Sequence, residues 1–148
     1  MALKLSTGLR NNMLAVASFK GSMDSSVIRI YAGAEPADAD ADASGNVLIC
    51  TIYNGNDGST PLTFEAAAAN GEIQKLATES WAGTNAASDT ATFYRLLKPA
   101  DADGASTTEF RVQGSIGTAG KELNLSAVAL VNLATQDIDY YSIALPTL

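Results

Sequence analysis

Three aspartates on alternate residues, Asp38, Asp40 and Asp42, lie in the stretch PADADADASG. Closely spaced carboxylates in a loop are typical of calcium sites, because Ca²⁺ takes about six to eight oxygen ligands. An EF-hand loop also needs a glycine at its sixth position and a glutamate at its twelfth, and these positions hold Ala43 and Ile49. The EF-hand is therefore excluded, and the stretch is interpreted as a solvated surface loop rather than a metal site.

A looser calcium site remains as the alternative, because Asp101 and Asp103 repeat the Asp-Ala-Asp pattern in a second predicted loop. Calcium accepts oxygens from separate segments of a chain. Sequence alone does not bring the two loops together. We therefore expect no metal, with Asp38, Asp40 and Asp42 as the weak candidates.

The residues that other catalytic sites require are missing or lack a pattern. The chain has no histidine, which excludes Ser-His-Asp and Cys-His arrangements and every histidine metal ligand. Paired carboxylates of a glycosidase are formally available in Glu65, Glu109 and Asp139, but acids in strands usually point to solvent. A Ser-Lys dyad has no local pattern to select it, and Gly114–Lys121, GSIGTAGK, does not satisfy the P-loop spacing. The sequence predicts no enzyme and no cofactor.

Composition limits the partners. The chain has 148 residues, 47% hydrophobic, and a net charge of -7, so a single domain over 1–148 is expected, with no nucleic acid as partner. No apolar run approaches the roughly 18 residues of a membrane-spanning helix, and Arg10 with Asn11 and Asn12 interrupts any signal peptide. The single cysteine, Cys50, is expected as a buried thiol in a protein made in a reducing cytoplasm.

Hydrophobic periodicity predicts one amino-terminal helix followed by strands. Leu9, Met13, Val16 and Lys20 recur at helical spacing, which indicates a helix over about 7–20 capped by Ser6 or Thr7. A β-sandwich is predicted over about 26–146, because short β-branched and aromatic runs alternate with turn signals there. The fold class is mainly β: an antiparallel β-sandwich or jelly-roll-like domain with one N-terminal α-helix.

Particular pairings follow from the turns. A hairpin around Asn70 and Gly71 is predicted, and the runs 90–99 and 108–117 are expected to be antiparallel neighbours. A single closing strand is predicted over 137–146. Trp81, Tyr140 and Tyr141 are expected to pack in the core, with a ligand-stacking platform as the alternative.

Several segments, in order, resemble a family of small virion proteins of tailed bacteriophages that begin with an LSTGLRN helix. The matching pieces are LSTGLRNNML (5–14), IRIYAGAEPADADA (28–41), WAGT (81–84), TATFYRL (90–96), FRVQGSIGTAGKELNLS (110–126) and IDYYSIALP (138–146). The resemblance covers most of the chain, and the segment AAAANGEIQKLATES departs from it. It implies a head decoration, or cement, protein that sits outside the virion capsid and clamps subunits of the major capsid protein.

The resemblance implies partners but no catalytic residue. We expect the major capsid protein and further copies of this chain, as a homodimer or homotrimer, with the protein made in the host bacterial cytoplasm. The terminal segments are the candidate contacts, through Leu3, Lys4, Leu5, Arg10, Pro146 and Leu148, because termini can add to an exposed sheet edge. The alternatives are a tail, connector or fibre-associated component, and a calcium-dependent carbohydrate-binding β-sandwich that uses Trp81 or the tyrosine pair.

Overall fold

The computed structural model describes residues 3–147. Within that range the chain forms two short helices, α1 (Thr7–Ala15) and α2 (Phe19–Met23). Its eleven strands are β1 (Lys4–Leu5), β2 (Val27–Ala32), β3 (Val47–Asn54), β4 (Glu72–Gln74), β5 (Trp81–Thr84), β6 (Asp89–Leu97), β7 (Arg111–Gly117), β8 (Leu123–Asn124), β9 (Ala129–Leu130), β10 (Thr135–Ile138) and β11 (Ser142–Ala144). The predicted class, mainly β with antiparallel pairing, is confirmed.

The main sheet has the strand order β1-β7-β6-β2-β3-β5-β10, with β8 added to β7 and β9 added to β6. A separate two-stranded sheet is formed by β4 and β11. Pairing is antiparallel except between β7 and β8. The predicted neighbours β6 and β7 are adjacent, with Arg95 opposite Gln113 and Leu97 opposite Arg111.

The centre of the main sheet is covered on both faces. One face of β2 contributes Ile28 and Ile30 to the large core, which extends from Leu9 to Ile143. On the other face Tyr31 stacks on Phe93, with ring centroids 5.1 Å apart. Apolar residues on both faces explain why VIRIYA does not follow a strict alternation, since a central strand has no solvent side.

The predicted N-terminal helix begins at Thr7 with Ser6 as its N-cap, but it ends at Ala15 and not at about residue 20, because the chain breaks between α1 and α2. The amides of Val16 and Ala17 both donate to the carbonyl of Asn12, which ends α1. Ser18 then caps α2 by accepting a hydrogen bond from the amide of Gly21 at 3.0 Å. The break leaves Leu14 and Val16 exposed to solvent rather than packed on the sheet.

The single closing strand predicted over 137–146 is also wrong. Strand β10 pairs with β5 in the main sheet, whereas β11 pairs with β4 in the small sheet. The chain turns between them so that Tyr141 is buried and Tyr140 is exposed. The predicted Asn-Gly turn does form: Asn70 and Gly71 both have positive φ, 55° and 77°.

The core between the sheets is rich in aromatic rings. Phe64 packs edge-on against Trp81 at 5.7 Å between centroids, and Tyr94 packs edge-on against Tyr141 at 5.8 Å. The hydroxyls of these two tyrosines lie 3.1 Å apart, within hydrogen-bond distance. Cys50 is buried as expected, and burial raises the pKa of its thiol to about 12.

Candidate functional site

Two arginines are buried on the second face of the main sheet. Arg95 lies in the middle of β6 and Arg111 begins β7, and their exposed fractions are 0% and 1%. The pairing register places both side chains on the face that carries Tyr31 and Phe93. A buried guanidinium is costly unless it is paired and hydrogen-bonded, so its partners decide whether the arrangement holds the fold.

Arg95 is held by a carboxylate, an amide and two carbonyls. Its Nη1 forms a short ion pair with Asp103, and its Nε donates to Oε1 of Gln113 at 2.9 Å. Its Nη2 donates to the carbonyls of Asp38 at 3.2 Å and Ala41 at 2.8 Å. These contacts compensate the loss of water around the cation.

Arg111 forms a two-pronged ion pair with Asp101. Its Nε and Nη2 donate to the two carboxylate oxygens at 2.6 and 2.7 Å, and its Nη1 donates to the carbonyl of Ala39 at 3.3 Å. Burial alone raises the pKa of the Asp101 carboxyl. The hydrogen bonds from Arg111 and from the amide of Asp103 outweigh burial, so this pKa lies below its usual range.

Asp103 joins the two ion pairs into one network. Its Oδ1 faces Arg95 and lies 3.7 Å from Nε of Arg111, while its Oδ2 accepts the Tyr31 hydroxyl at 2.6 Å. Burial, and then the hydrogen bond to Asp103, raises the pKa of Tyr31 well above its usual value. We call Arg95, Arg111, Asp101, Asp103 and Tyr31 the arginine network.

The aspartate stretch 36–45 is a loop, as the sequence predicted, and it connects β2 to β3 and lies over this network. Its alternation has a structural reason: Ala39 and Ala43 are fully buried, whereas Asp38 and Asp42 are exposed. Small side chains let the backbone approach the arginines closely, so that its carbonyls point at the two guanidinium groups.

Each of the three predicted metal candidates has another role. Asp38 accepts from the amides of Asp40 and Ala41, and Asp42 accepts from the amide and hydroxyl of Ser44. These are Asx turns, which hold a loop in one conformation. The hydrogen bonds from Ser44 also hold the pKa of Asp42 below its usual value.

Asp40 caps helix α1 from outside the helix. Its two carboxylate oxygens accept from the amide and the hydroxyl of Thr7, at 2.8 and 2.6 Å. Negative charge is favoured at this end of a helix, where the amides have no partner within the helix. The stretch therefore contacts both helix α1 and the arginine network.

The two Asp-Ala-Asp loops do meet, but around cations that belong to the protein. Ala43 donates its amide to the carbonyl of Asp103 at 3.0 Å, and Ser106 donates its amide to the carbonyl of Asp40 at 2.9 Å. Loop carbonyls and aspartates, which would ligate calcium, here surround guanidinium groups. In the part of the chain that the structure describes, no group of three or more carboxylate or thiol side chains is arranged to hold a metal ion.

The terminal contact candidates are distributed over different parts of the fold. Lys4 and Leu5 form β1 on the edge of β7, and Lys4 also pairs with Glu35 at 2.8 Å. Leu3 and Leu5 are half-buried against the core. Arg10 and Pro146 are exposed, and Leu148 lies outside the described residues. The amino-terminal edge is thus already used within the chain's own sheet.

Trp81 and Tyr141 are not available as a stacking platform. Their exposed fractions are 1% and 2%, and the Trp81 indole donates to Glu79 at 2.7 Å. Tyr140 is exposed and donates its hydroxyl to Glu72 at 2.5 Å. Tyr140 borders a cleft of about 590 Å³ that lies between residues 121–126 and 135–142.

An apolar turn follows β9 and was not predicted. In the turn 131–134, which we call the Leu133 turn, the amide of Ala134 donates to the carbonyl of Val131 at 3.1 Å. Leu133 has a φ of 68°, the left-handed conformation that the third position of a type II turn requires and that glycine normally takes. For a residue with a Cβ this conformation costs about 1–2 kcal/mol.

The backbone of the Leu133 turn is fixed by the neighbouring segment 85–88. The buried side chain of Asn85 donates to the carbonyl of Val131 at 3.0 Å, and the amide of Leu133 donates to the carbonyl of Asn85 at 2.8 Å. Asn132 donates its amide to the Ser88 hydroxyl at 2.8 Å. The turn nevertheless leaves Val131 63% exposed and Leu133 78% exposed.

Basic groups are directed mostly inward. Of the nine Lys and Arg side chains, seven donate to carboxylates or backbone carbonyls of the described chain: Lys4, Lys20, Arg29, Lys75, Arg95, Lys98 and Arg111. Many aspartates and glutamates remain at the surface. The exterior is therefore acidic, as the net charge of -7 requires.

No helix within residues 3–147 is long and apolar enough to cross a membrane. Comparisons with protein-family models, with curated proteins and with solved structures find no match to this chain.

Sequence reasoning missed the arginine network and the Leu133 turn. Arg95 in TFYRLL has a detectable signal, because an arginine between apolar strand residues is either exposed at an edge or buried with a partner. Leu133 in ALVNLAT carries no such signal, since a leucine gives no indication of positive φ.

Proposed function

We propose that this protein is a structural component of a phage virion, a capsid decoration (cement) protein that binds the outer surface of the major capsid shell and stabilises it. The observation that carries the proposal is the position in the fold of three segments that resemble the family of small virion proteins. IRIYAGAEPADADA, TATFYRL and FRVQGSIG supply Tyr31, Arg95, Arg111 and the loop that covers them. The two arginines are paired with Asp103 and Asp101 of the segment between these last two motifs, which suits a rigid building block.

The exterior supports the same role. A chain whose cations are directed inward presents acidic side chains, and these favour encounter with a basic surface. Exposed apolar side chains, such as those of the Leu133 turn, can contribute contact area once the surfaces meet. Many modest contacts repeated over a symmetric shell give strong attachment through avidity.

The test is addition of the purified protein to shells that lack it, followed by sedimentation and by imaging of the particles. We expect the protein to co-sediment and to occupy regular positions on the outer surface. Density for the protein in the tail, connector or fibre would favour that alternative location instead. Absence of co-sedimentation together with such density would overturn the cement proposal.

A carbohydrate-binding role is the second candidate, and the cleft beside Tyr140 is the observation that favours it. Its volume of about 590 Å³ is in the range of small-molecule sites, and Asp137, Asp139 and Gln136 line it together with the exposed tyrosine. Calcium is not part of this candidate, because the aspartates of 36–45 are used in turns and a helix cap. Screening a glycan array with wild type and Tyr140→Ala tests it, and equal or absent signals would reject it.

A further inference from the structure

The Leu133 turn combines a backbone conformation that L-amino acids avoid with an apolar side chain that the chain leaves in solvent. Among the described residues, non-glycine positive φ values occur at Ser25, Asn56, Asn70, Asp103 and Leu133. Four of these are small polar residues, and asparagine and aspartate tolerate this conformation because their side chains can hydrogen-bond locally. Leucine has no such compensation. The presence of leucine here is therefore explained by a role of its side chain and not by the backbone conformation of the turn.

The turn presents that side chain in a fixed place. The amides of Asn132, Leu133 and Ala134 all donate to groups of the protein, and the buried Asn85 side chain holds the carbonyl of Val131. A side chain that projects from a fixed backbone loses little conformational freedom when a partner covers it. The geometry is that of a preformed apolar projection, not of a loop that happens to be exposed.

Further exposed apolar residues lie at the start of β3, which contacts segment 85–88. Segment 85–88 lies between the Leu133 turn and the start of β3, because Ala86 donates its amide to the carbonyl of Ile49 at 2.7 Å. Val47 and Leu48 at the start of β3 are 47% and 40% exposed. Exposed apolar side chains that cluster on a surface mark sites of protein interaction.

Charge indicates which partner would cover this surface. Segments 85–90 and 129–135 contain no lysine or arginine, and Asp89, opposite Leu130 in the β6–β9 pair, is exposed. A second copy of this chain would bring a net charge of -7 against another -7. A protein surface with an apolar pocket and basic residues around it is complementary instead.

We propose that the Leu133 turn inserts the Leu133 and Val131 side chains into an apolar pocket with a basic rim on the shell protein. This inference rests on the proposed function, since it names the contact by which the decoration protein would bind its shell. It differs from the terminal contact candidates, because it places the main contact in the interior of the chain sequence.

The test compares three variants with wild type in equilibrium co-sedimentation with shells assembled without this protein. Leu133→Gly removes the side chain and suits the left-handed backbone, whereas Leu133→Ala removes most of the side chain and retains the strain. Leu14→Ala is the matched control, because Leu14 is an 87% exposed leucine in a different element, at the end of α1. Thermal unfolding of each free variant shows that it is folded.

We expect both Leu133 variants to bind shells about 10- to 100-fold more weakly than wild type, the effect of losing one buried leucine. Leu14→Ala should bind as wild type does, and raised salt should weaken all binding. Wild-type binding that the Leu133 variants fully retain would overturn this inference and leave the proposed function intact.

Two further outcomes would also count against the inference. Wild type that does not bind shells at all would overturn both proposals. A wild-type oligomer, seen by sedimentation of the free protein, that Leu133→Gly dissociates would show that the turn contacts a second copy of the chain, and it would overturn the assignment to the shell protein.

Discussion

The arginine network and the Leu133 turn place their side chains in opposite ways. In the network, charged groups that would normally face water are buried and paired, and loop carbonyls surround the two guanidinium groups. In the turn, apolar groups that would normally be buried face water on a strained backbone. The network stabilises the fold by pairing its buried charges, whereas the Leu133 and Val131 side chains lie mostly in solvent. The network therefore serves the fold, and the turn is the region that we propose contacts a partner.

The largest expected effect comes from breaking one ion pair of the network. Arg111→Met leaves the Asp101 carboxylate buried without its partner, so the free energy of unfolding should fall by about 3–5 kcal/mol. Urea unfolding measures the change. Arg10→Met is the control, because Arg10 is exposed and should change stability little. A loss for Arg111→Met no greater than that for the control would show that the network does not hold the fold.

The next largest loss of stability is expected from disturbing the close contact between α1 and the loop before β7. A Cβ on Gly8 would overlap the carbonyl oxygen of Thr108, so Gly8→Ala requires the backbone to shift. We expect destabilisation of about 1–3 kcal/mol, the usual range for an overpacked contact. Gly104→Ala is the control, since a Cβ there meets no neighbouring atom. Equal melting temperatures for the two variants would contradict the close contact.

Acid should weaken the network more than it weakens the Leu133 turn, which has no titratable group of its own. The pKa of Asp101 is lower in the folded than in the unfolded chain, so its stabilising effect is complete above the unfolded value of about 4. That stabilisation is lost as the pH falls through the folded pKa. Unfolding free energies from pH 5 to pH 2 should therefore fall less steeply for Asp101→Asn than for wild type.

The control for the acid measurement is Asp89→Asn, at an exposed aspartate outside the network. Its pH dependence should follow that of wild type. If the unfolding free energies of Asp101→Asn and wild type fall in parallel as the pH is lowered, protonation of Asp101 does not account for the loss of stability in acid.

The smallest effect on stability, and the one of unusual sign, is expected at the Leu133 turn. Leu133→Gly relieves the left-handed strain and loses little buried surface, so stability should stay equal or rise by about 0–1 kcal/mol after the entropy cost of glycine. Leu14→Gly, at an equally exposed leucine within a helix, should instead lose about 1 kcal/mol. Thermal melts compare the two variants. A clear loss of stability in Leu133→Gly would show that the backbone at Leu133 is not strained.

Local signals predicted much of the fold. β-Branched runs and turn residues predicted the neighbouring strands β6 and β7, and Asn70-Gly71 predicted the hairpin turn. Local signals failed at two points where tertiary contacts decide how the chain continues. Ser18 caps a new helix instead of continuing α1, and the closing run divides because Tyr141 is drawn into the aromatic core. Such choices are decided by tertiary contacts that periodicity does not contain.

The candidate sites were less predictable for the same reason. The alternating aspartates were correctly assigned to a loop, but Arg95 and Arg111, which the backbone carbonyls of this loop contact, lie more than fifty residues away along the chain. The Leu133 conformation is set by hydrogen bonds with Asn85 and Ser88, which lie more than forty residues away along the chain. A residue's own identity indicates burial or turn formation, but it does not indicate a partner that only the fold brings near.

The measurement that tests the central claim most directly is calorimetry of capsid shells with and without the wild-type protein. A decoration protein that binds the assembled shell must raise the temperature at which the shell comes apart, because it binds the intact form preferentially. We predict a rise that grows with the protein added until the sites are filled. An unchanged transition temperature at saturating protein would contradict the account.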